Sequence, residues 1–245
     1  MLPPIRGFIE NTLIDWEGKI AAEVFLPGCN FRCGVCHARY LLESSPNDES
    51  IPLDAVRSAL RRRKGWIDGI VISGGEPTLQ PELADLIRLF RQDGLLVKLD
   101  TNGSRPEVIE RLIAEKLLDY VAMDVKGPLG QRYSEIAGVE VDIDSIRHSI
   151  ELLISSDIAY EFRTTLCPAQ LDPDAVEATA LGIRGAALYY LQGFRPLNCL
   201  NSELNSVAPY NPDQLRDLCR RCSKYIRQCA VRGDEASTIG ASAAK

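Results

Sequence analysis

Six short apolar runs, separated by segments of helical period, constrain this chain more than any other feature. The runs are residues 20–25, 69–73, 95–99, 120–125, 160–166 and 187–192. Run 69–73 reads Gly-Ile-Val-Ile-Ser. A run that is apolar throughout, rather than alternating, suits a strand buried on both faces. Helices are predicted over 53–63, 81–92, 106–115, from Asp144 to about residue 155, over 174–181 and over 212–229. In 81–92, Leu83, Leu86, Ile87 and Phe90 fall on one face, Pro81 suits the first turn and Gly94 the end. Asp144 is the expected cap of its helix. Repeated βα units give parallel strands joined by right-handed crossovers. Six units are two short of a closed eight-fold barrel. The expected fold is therefore α/β, a partial (β/α)6 barrel of parallel strands with outer helices, and the alternative is a doubly wound open sheet.

The chain has 245 residues, and no segment rich in Gly, Ser or Pro divides it. It reads as one domain over 1–245, with an N-terminal extension over 1–18 and a C-terminal extension over 199–245 that carries extra cysteines. Residues 44–50 read as turns, and the small, polar ending 236–245 is expected to fray. Lys plus Arg number 28 against 34 Asp plus Glu, a formal charge of -6. That balance excludes a global basic field for nucleic acid. No apolar run approaches the roughly 18 residues of a membrane span. The first residues lack the apolar stretch of a secretory signal. A cytoplasmic, reducing setting is expected, and there the eight cysteines read as metal or redox ligands rather than staples.

In parallel α/β folds chemistry gathers at the carboxyl ends of strands. Here the first strand runs into a loop bearing Cys29, Cys33, Cys36 and His37. The second ends at Gly74-Gly75-Glu76-Pro77, the third at Asp100-Thr101-Asn102-Gly103 and the fourth at Asp124-Val125-Lys126. The fifth carries Arg163 and the sixth ends at Gln192. Asp100 and Asp124 at neighbouring strand ends would face one small volume, where like charges need a compensating cation such as Lys126. A plain salt bridge is the simpler account of that group. Arg163, late in an apolar strand, needs a carboxylate partner.

A CxxxCxxC loop supplies three thiolates, which suit an iron–sulfur cluster or zinc. Structural zinc wants four ligands, and His37 is the only obvious fourth. Three cysteines on a cubane cluster leave one iron open. Three small buried hydrophobes would be the alternative without chemistry, although the loop is polar rather than apolar.

CxxxCxxC after the first strand together with GGEP after the second resembles the radical S-adenosylmethionine (SAM) superfamily, over about residues 7–196. The resemblance implies a partial (β/α)6 barrel and a 4Fe–4S cluster on Cys29, Cys33 and Cys36. SAM would chelate the open iron, and its reductive cleavage would give a 5′-deoxyadenosyl radical that abstracts hydrogen. Gly74 and Gly75 would approach the methionyl amine closely and Glu76 would add negative charge there, unless Glu76 is simply a helix-entry acid. The segments Gly7-Phe8-Ile9 and 15–19, with CxxxCxxCH, LDTNG and MDVKG, resemble the glycyl-radical activating enzymes. That likeness implies a glycyl-radical enzyme as partner, anaerobic ribonucleotide reductase being the expected one, and a flavodoxin- or ferredoxin-type electron donor. It also implies SAM contacts from Val35, His37, Asn102, Lys126, Arg163 and Gln192. A monovalent cation would be held by Asp100, Thr101, Asp124 and the Ala122 carbonyl. Val35 stands where an aromatic is usual, and Ala38 where Asn is usual. Competing functions are a small-molecule radical SAM enzyme such as a 7-carboxy-7-deazaguanine synthase, and a non-catalytic zinc-binding module. Asp100 and the Asp-Val-Lys segment favour the activating enzyme.

Cys199, Cys219, Cys222 and Cys229 would suffice for a second metal site. Against this, Cys219, Cys222, Ile226 and Cys229 repeat at helical spacing as one apolar stripe. In a continuous helix Cys229 would lie about 10 Å beyond Cys222, too far for one metal unless the helix breaks.

Overall fold

The computed structural model describes residues 2–43 and 48–233. Residues 44–47 of the turn expected over 44–50, and the fraying expected over 236–245, lie outside the described residues. The chain divides into two compact units. One comprises Met1–Asn30, Ala38–Ala122 and Ser156–Ala159; the other comprises Phe31–His37, Met123–Ser155 and Tyr160–Lys245. The fold is α/β, as expected, with strands in the sheet order β1 to β8 and helices between them.

The first unit holds β1 (Gly7–Thr12), β2 (Ala21–Leu26), α1 (Arg39–Leu42), α2 (Leu53–Arg62), β3 (Gly69–Gly74), α3 (Leu83–Gln92), β4 (Leu96–Thr101), α4 (Pro106–Ala114) and the first residues of β5 (Tyr120–Asp124). β2 pairs with β3 in parallel from Ala21↔Gly69 to Leu26↔Gly74, and β3 with β4 from Gly69↔Leu96 to Ile72↔Leu99. The expected apolar strand 69–73 is real: Ile70, Val71 and Ile72 are fully buried. The α3 stripe is also as expected, with Leu83, Leu86, Ile87 and Phe90 all buried. Truncating Phe90 to Ala would cost about 3–5 kcal/mol.

Two expectations are corrected here. The N-terminal extension contains a strand, β1, antiparallel to β2 with Gly7↔Phe25 and Ile9↔Glu23. It gives the β2 edge a hydrogen-bonding partner. The helix expected from residue 81 starts at Leu83 and is preceded by a 3₁₀ turn, Pro77–Leu79, that Glu76 caps.

The second unit holds the end of β5, α5 (Gln131–Ala137), α6 (Ile143–Ser155), β6 (Ala159–Leu166), α7 (Pro173–Gly182), β7 (Leu188–Gly193), α8 (Pro212–Cys222) and β8 (Gln228–Val231). β6 pairs with β7 in parallel from Phe162↔Tyr189 to Leu166↔Gly193. The cap of α6 is Asp142 rather than Asp144, since its Oδ1 accepts from the Asp144 and Ser145 amides at 3.1 and 3.4 Å. The last helix does not reach Cys229. It ends at Cys222, and the chain turns through Tyr225, whose carbonyl accepts from the Gly185 amide at 2.9 Å. Residues 228–231 then add a strand parallel to β7, from Leu188↔Gln228 to Leu191↔Val231. The β7 edge supplies the backbone hydrogen-bond partners that helical turns would otherwise have supplied.

Candidate functional site

In the first unit the site is built where β3 and β4 end. Glu76 is fully buried. Its Oε1 accepts from the Thr78 amide at 3.0 Å, the Thr78 hydroxyl at 2.5 Å and the Thr101 hydroxyl at 2.7 Å. Its Oε2 accepts from the Asn102 amide at 2.6 Å. Burial pushes this carboxyl up, against those four hydrogen bonds. The helix-entry role weighed for Glu76 is thus present, and the residue also ties the GGEP turn to the DTNG turn.

Asn102 continues the network. Its Nδ2 donates to Asn30 Oδ1 at 2.9 Å and reaches Cys29 Sγ at 4.0 Å, and its Oδ1 accepts from the Ser104 amide at 2.9 Å. Cys29 is thereby located by the end of β4.

The double glycine has a reason beyond ligand approach. Gly74 has φ +128°, and a Cβ there would meet the Leu26 carbonyl oxygen at 2.2 Å. A Cβ on Gly75 would meet the Gly28 oxygen at 1.9 Å. The Gly75 and Glu76 amides donate to the Leu26 and Gly28 carbonyls at 2.9 and 2.7 Å. The start of the cysteine loop therefore lies directly on the GGEP backbone, and only glycine permits that approach.

Asp100 has a partner the sequence reading did not name. Lys98, itself 1% exposed, stands 3.6 Å from it. Lys98 also donates to the Asp15 carbonyl.

In the second unit, Asp124 ends β5 between two cations. Its Oδ1 accepts from Arg163 Nε at 2.9 Å and its Oδ2 from Lys126 Nζ at 3.1 Å. Although burial opposes ionisation, Arg163 and then Lys126 hold the Asp124 carboxyl well below the usual range. Burial is the largest single influence on Lys126 and lowers it, but the charge of Asp124, those of Cys33 and Tyr133 and the Asp124 hydrogen bond together outweigh burial and hold the ammonium above its ordinary range. Counting Glu161 beside Arg163 and Arg232 beside Glu161, three cations face two carboxylates, which leaves the group one excess positive charge. This revises the expectation for Asp124: Lys126 is not its sole counter-charge, because Arg163 supplies a second. The carboxylate that Arg163 needed is Asp124, with Glu161 3.8 Å away.

The rest of the cysteine loop belongs to the same unit. Cys33 is buried, and burial pushes its thiol up while Lys126 opposes that shift. The Cys36 amide donates to the Cys33 carbonyl at 3.0 Å. Val35 packs on an apolar cluster of Cys167, Phe194, Cys199 and Leu204. His37 is exposed, with Nε2 3.0 Å from the Arg195 carbonyl oxygen and 3.9 Å from Cys199 Sγ. The segment after β7 braces this loop: the Leu200 and Asn201 amides donate to the Cys36 and Gly34 carbonyls at 2.9 and 3.0 Å. No motif in 199–204 signals that role. Gln192 sits at the end of β7, half-buried, in register with Thr165.

None of Cys29, Cys33 and Cys36 is in a disulfide. Three soft donors, with the Lys126 ammonium favouring thiolate at Cys33, fit the ligand set of an iron–sulfur cluster. Among the described residues no helix is long and apolar enough to cross a membrane.

Comparison with known proteins extends this reading. The chain is 33% identical over 234 residues, 93% of its length and 95% of the other's, to a Methanocaldococcus jannaschii protein named for the activation of glycyl-radical enzymes. It is 32% identical over 117 residues to the 7-carboxy-7-deazaguanine synthase of Neisseria meningitidis, covering 47% of this chain and 48% of that one. In fold it resembles a domain of the pyruvate-formate lyase-activating enzyme of Bacteroides vulgatus, with TM-score 0.55 and 18% identity over 67% of this chain and 99% of that one. The sequence model of the radical SAM superfamily matches residues 24–179, from β2 to α7. The chain belongs to the radical SAM superfamily of enzymes, whose members use a 4Fe–4S cluster and SAM.

Proposed function

We propose that this enzyme is a glycyl-radical activating enzyme whose substrate is a backbone glycine of a partner protein. The observation that carries the reading is the near full-length similarity to the M. jannaschii protein. Anaerobic ribonucleotide reductase is the proposed partner, and a flavodoxin or ferredoxin the proposed electron donor. Cys29, Cys33 and Cys36 would hold the cluster. When bound, that cluster supplies the electron that cleaves SAM reductively.

The residues of this chain then act as binding and orienting groups. Arg163 and Lys126, in a group with one positive charge in excess, attract the methionyl carboxylate. Asn102 holds Asn30 and approaches Cys29, keeping the loop start in place. Glu76 fixes the two turns to one another. The Gly75 and Glu76 amides are used internally, so a methionyl ammonium would be received by carbonyl oxygens. Gln192, Val35 and His37 complete the proposed SAM contacts. The resemblance adds a monovalent cation at Asp100, Thr101, Asp124 and Ala122. The charge argument for it is removed, since Asp100 faces Lys98 and Asp124 faces two cations.

The test uses protein reconstituted anaerobically with iron and sulfide, a reductant and SAM. With the partner present, a glycyl-radical doublet in electron paramagnetic resonance is expected alongside 5′-deoxyadenosine. 5′-Deoxyadenosine formed with a small purine-type substrate, and no glycyl radical with any partner, would favour the synthase reading that the shared half-chain similarity supports. Replacing potassium by bulky organic cations at constant ionic strength decides the cation.

A further inference from the structure

The cysteines near the carboxyl end are not consumed by the site above. Cys219 and Cys222 occupy the last turn of α8, and Cys229 is the second residue of β8. Because α8 stops at Cys222, the chain reverses and β8 brings Cys229 back. Its thiol is hydrogen-bonded with the thiols of both Cys219 and Cys222. Cys229 also pairs in register with Tyr189, whose phenol lies within the field of all three sulfurs. The helical stripe expected from the spacing is thus replaced by a three-thiol cluster. Cys199, which would have completed a four-thiolate metal site, lies elsewhere, in the apolar cluster with Cys167, Phe194 and Leu204. Among the described residues no group of three or more His, Cys, Asp or Glu is arranged to hold a metal ion. None of the three cysteines is in a disulfide. Cys219 and Cys229 are partly exposed, whereas Cys222 is fully buried and its Sγ is 3.9 Å from the Val176 carbonyl oxygen.

We propose that Cys219, Cys222 and Cys229 form a dithiol–disulfide exchange site in which Cys219 and Cys229 couple and Cys222 is the buried third thiol. The co-reactant is a low-molecular-weight disulfide. The Cys219 thiolate attacks one sulfur of it, forming a mixed disulfide and releasing one thiolate. Cys229 then gives up its proton and attacks Cys219 Sγ, forming the Cys219–Cys229 bond and releasing the second small thiol. Two protein thiols are oxidised by two electrons, and one small disulfide is reduced to two thiols. Cys229 suits the second role. Its hydrogen bonds to Cys219 and Cys222, and then its burial, push its thiol well above the ordinary range, so it is not the first thiolate to form; it lies beside Cys219, and its proton passes to the departing small thiolate when it attacks the mixed disulfide. Access excludes the buried Cys222 from the first role, and the raised Cys229 thiol leaves that role to Cys219, since attack needs access as well as thiolate. The bond would tie the end of α8 to the edge strand β8.

The test is peptide mapping of the full, cluster-bearing protein, incubated anaerobically with oxidised glutathione, acid-quenched and alkylated. Trypsin places each cysteine in its own peptide: Asp-Leu-Cys-Arg for Cys219, Cys-Ser-Lys for Cys222 and Gln-Cys-Ala-Val-Arg for Cys229. The first and third are expected as one disulfide-linked pair in the wild type. Cys229→Ser should stop at a glutathione adduct on Cys219, and Cys222→Ser should still give the pair. Wild-type protein that yields only unlinked adducts would overturn the proposal, as would a first link through Cys222. One equivalent of zinc that is lost in Cys229→Ser would overturn it too, by showing the thiols to be metal ligands.

Discussion

Arg163 Nε stands 2.9 Å from Oδ1 of Asp124, while Lys126 holds the other oxygen at 3.1 Å. Asp124 thus meets two cations, and with Glu161 beside Arg163 and Arg232 the group holds three cations against two acids, one positive charge in excess. Arg163 is 10% exposed at its side chain, so the pair works in a low-dielectric setting where loss of one partner is costly.

From this relation, Arg163→Met should weaken SAM binding more than it slows turnover of bound SAM. It removes the excess charge while Lys126 still neutralises Asp124. A rise in the Kd for SAM of about 10-fold or more, corresponding to about 1.4 kcal/mol, is expected from equilibrium dialysis of the reconstituted protein. Asp124→Asn should keep the positive charge but free both cations to move. Its signature is slower 5′-deoxyadenosine formation at saturating SAM. An unchanged Kd in Arg163→Met would remove the carboxylate-binding role.

Gly75→Ala tests the contact between the cysteine loop and the GGEP turn. The added Cβ would fall 1.9 Å from the Gly28 oxygen and 3.2 Å from Cys29 Cβ. Backbone must move, and the backbone that moves carries Cys29. Iron content after reconstitution should fall to a small fraction of wild type, with secondary structure retained by circular dichroism. Full iron loading in Gly75→Ala would show the loop to be more compliant than this packing implies.

How much of this was legible beforehand depends on the kind of signal. The six apolar runs and the α3 stripe state burial directly, and each became a strand or a helix face. CxxxCxxC and GGEP likewise announce soft ligands and a close turn. What escaped was set by partners distant in sequence. Lys98 gives no sign, in an apolar strand, that it faces Asp100. Residues 199–204 carry no motif, yet they brace the cysteine loop through backbone hydrogen bonds. Helical spacing from Cys219 to Cys229 was a true local pattern. It lost to the β7 edge, whose unpaired backbone the periodicity of residues 212–229 does not express.

Glu76→Gln should cost stability without a change in shape. The carboxylate accepts four hydrogen bonds while fully buried. An amide offers one oxygen, and its NH2 would face donors such as the Asn102 amide or the Thr101 hydroxyl. Leaving buried donors unsatisfied costs about 1–3 kcal/mol each. Denaturant melts should show that loss, and Asn102 contacts to Asn30 and Cys29 should loosen, with iron more readily removed by chelator.

The last prediction concerns pH. Glu23 on β2 is 6% exposed, and its carboxyl is pushed up to about 8. Burial is the largest cause, followed by the charges of Asp15 and Asp100 and a hydrogen bond with Asp15, while Lys98 opposes them. The unfolded chain would release this proton near pH 4.3. Below that pH both states hold it, and the group does not affect folding. Between about 4.3 and 8 the folded state binds one more proton than the unfolded state, so stability falls as pH rises. Above about 8 both states are ionised, and the accumulated loss stays constant, on the order of a few kcal/mol. Wild-type protein should therefore be less stable at pH 8 than at pH 5 from this group alone. Glu23→Gln keeps a hydrogen-bonding side chain, does not ionise and should flatten that slope. In thermal melts across the range, the variant should overtake wild type on the alkaline side. Parallel curves for the two proteins would show that Glu23 ionises normally and that Lys98 dominates its surroundings.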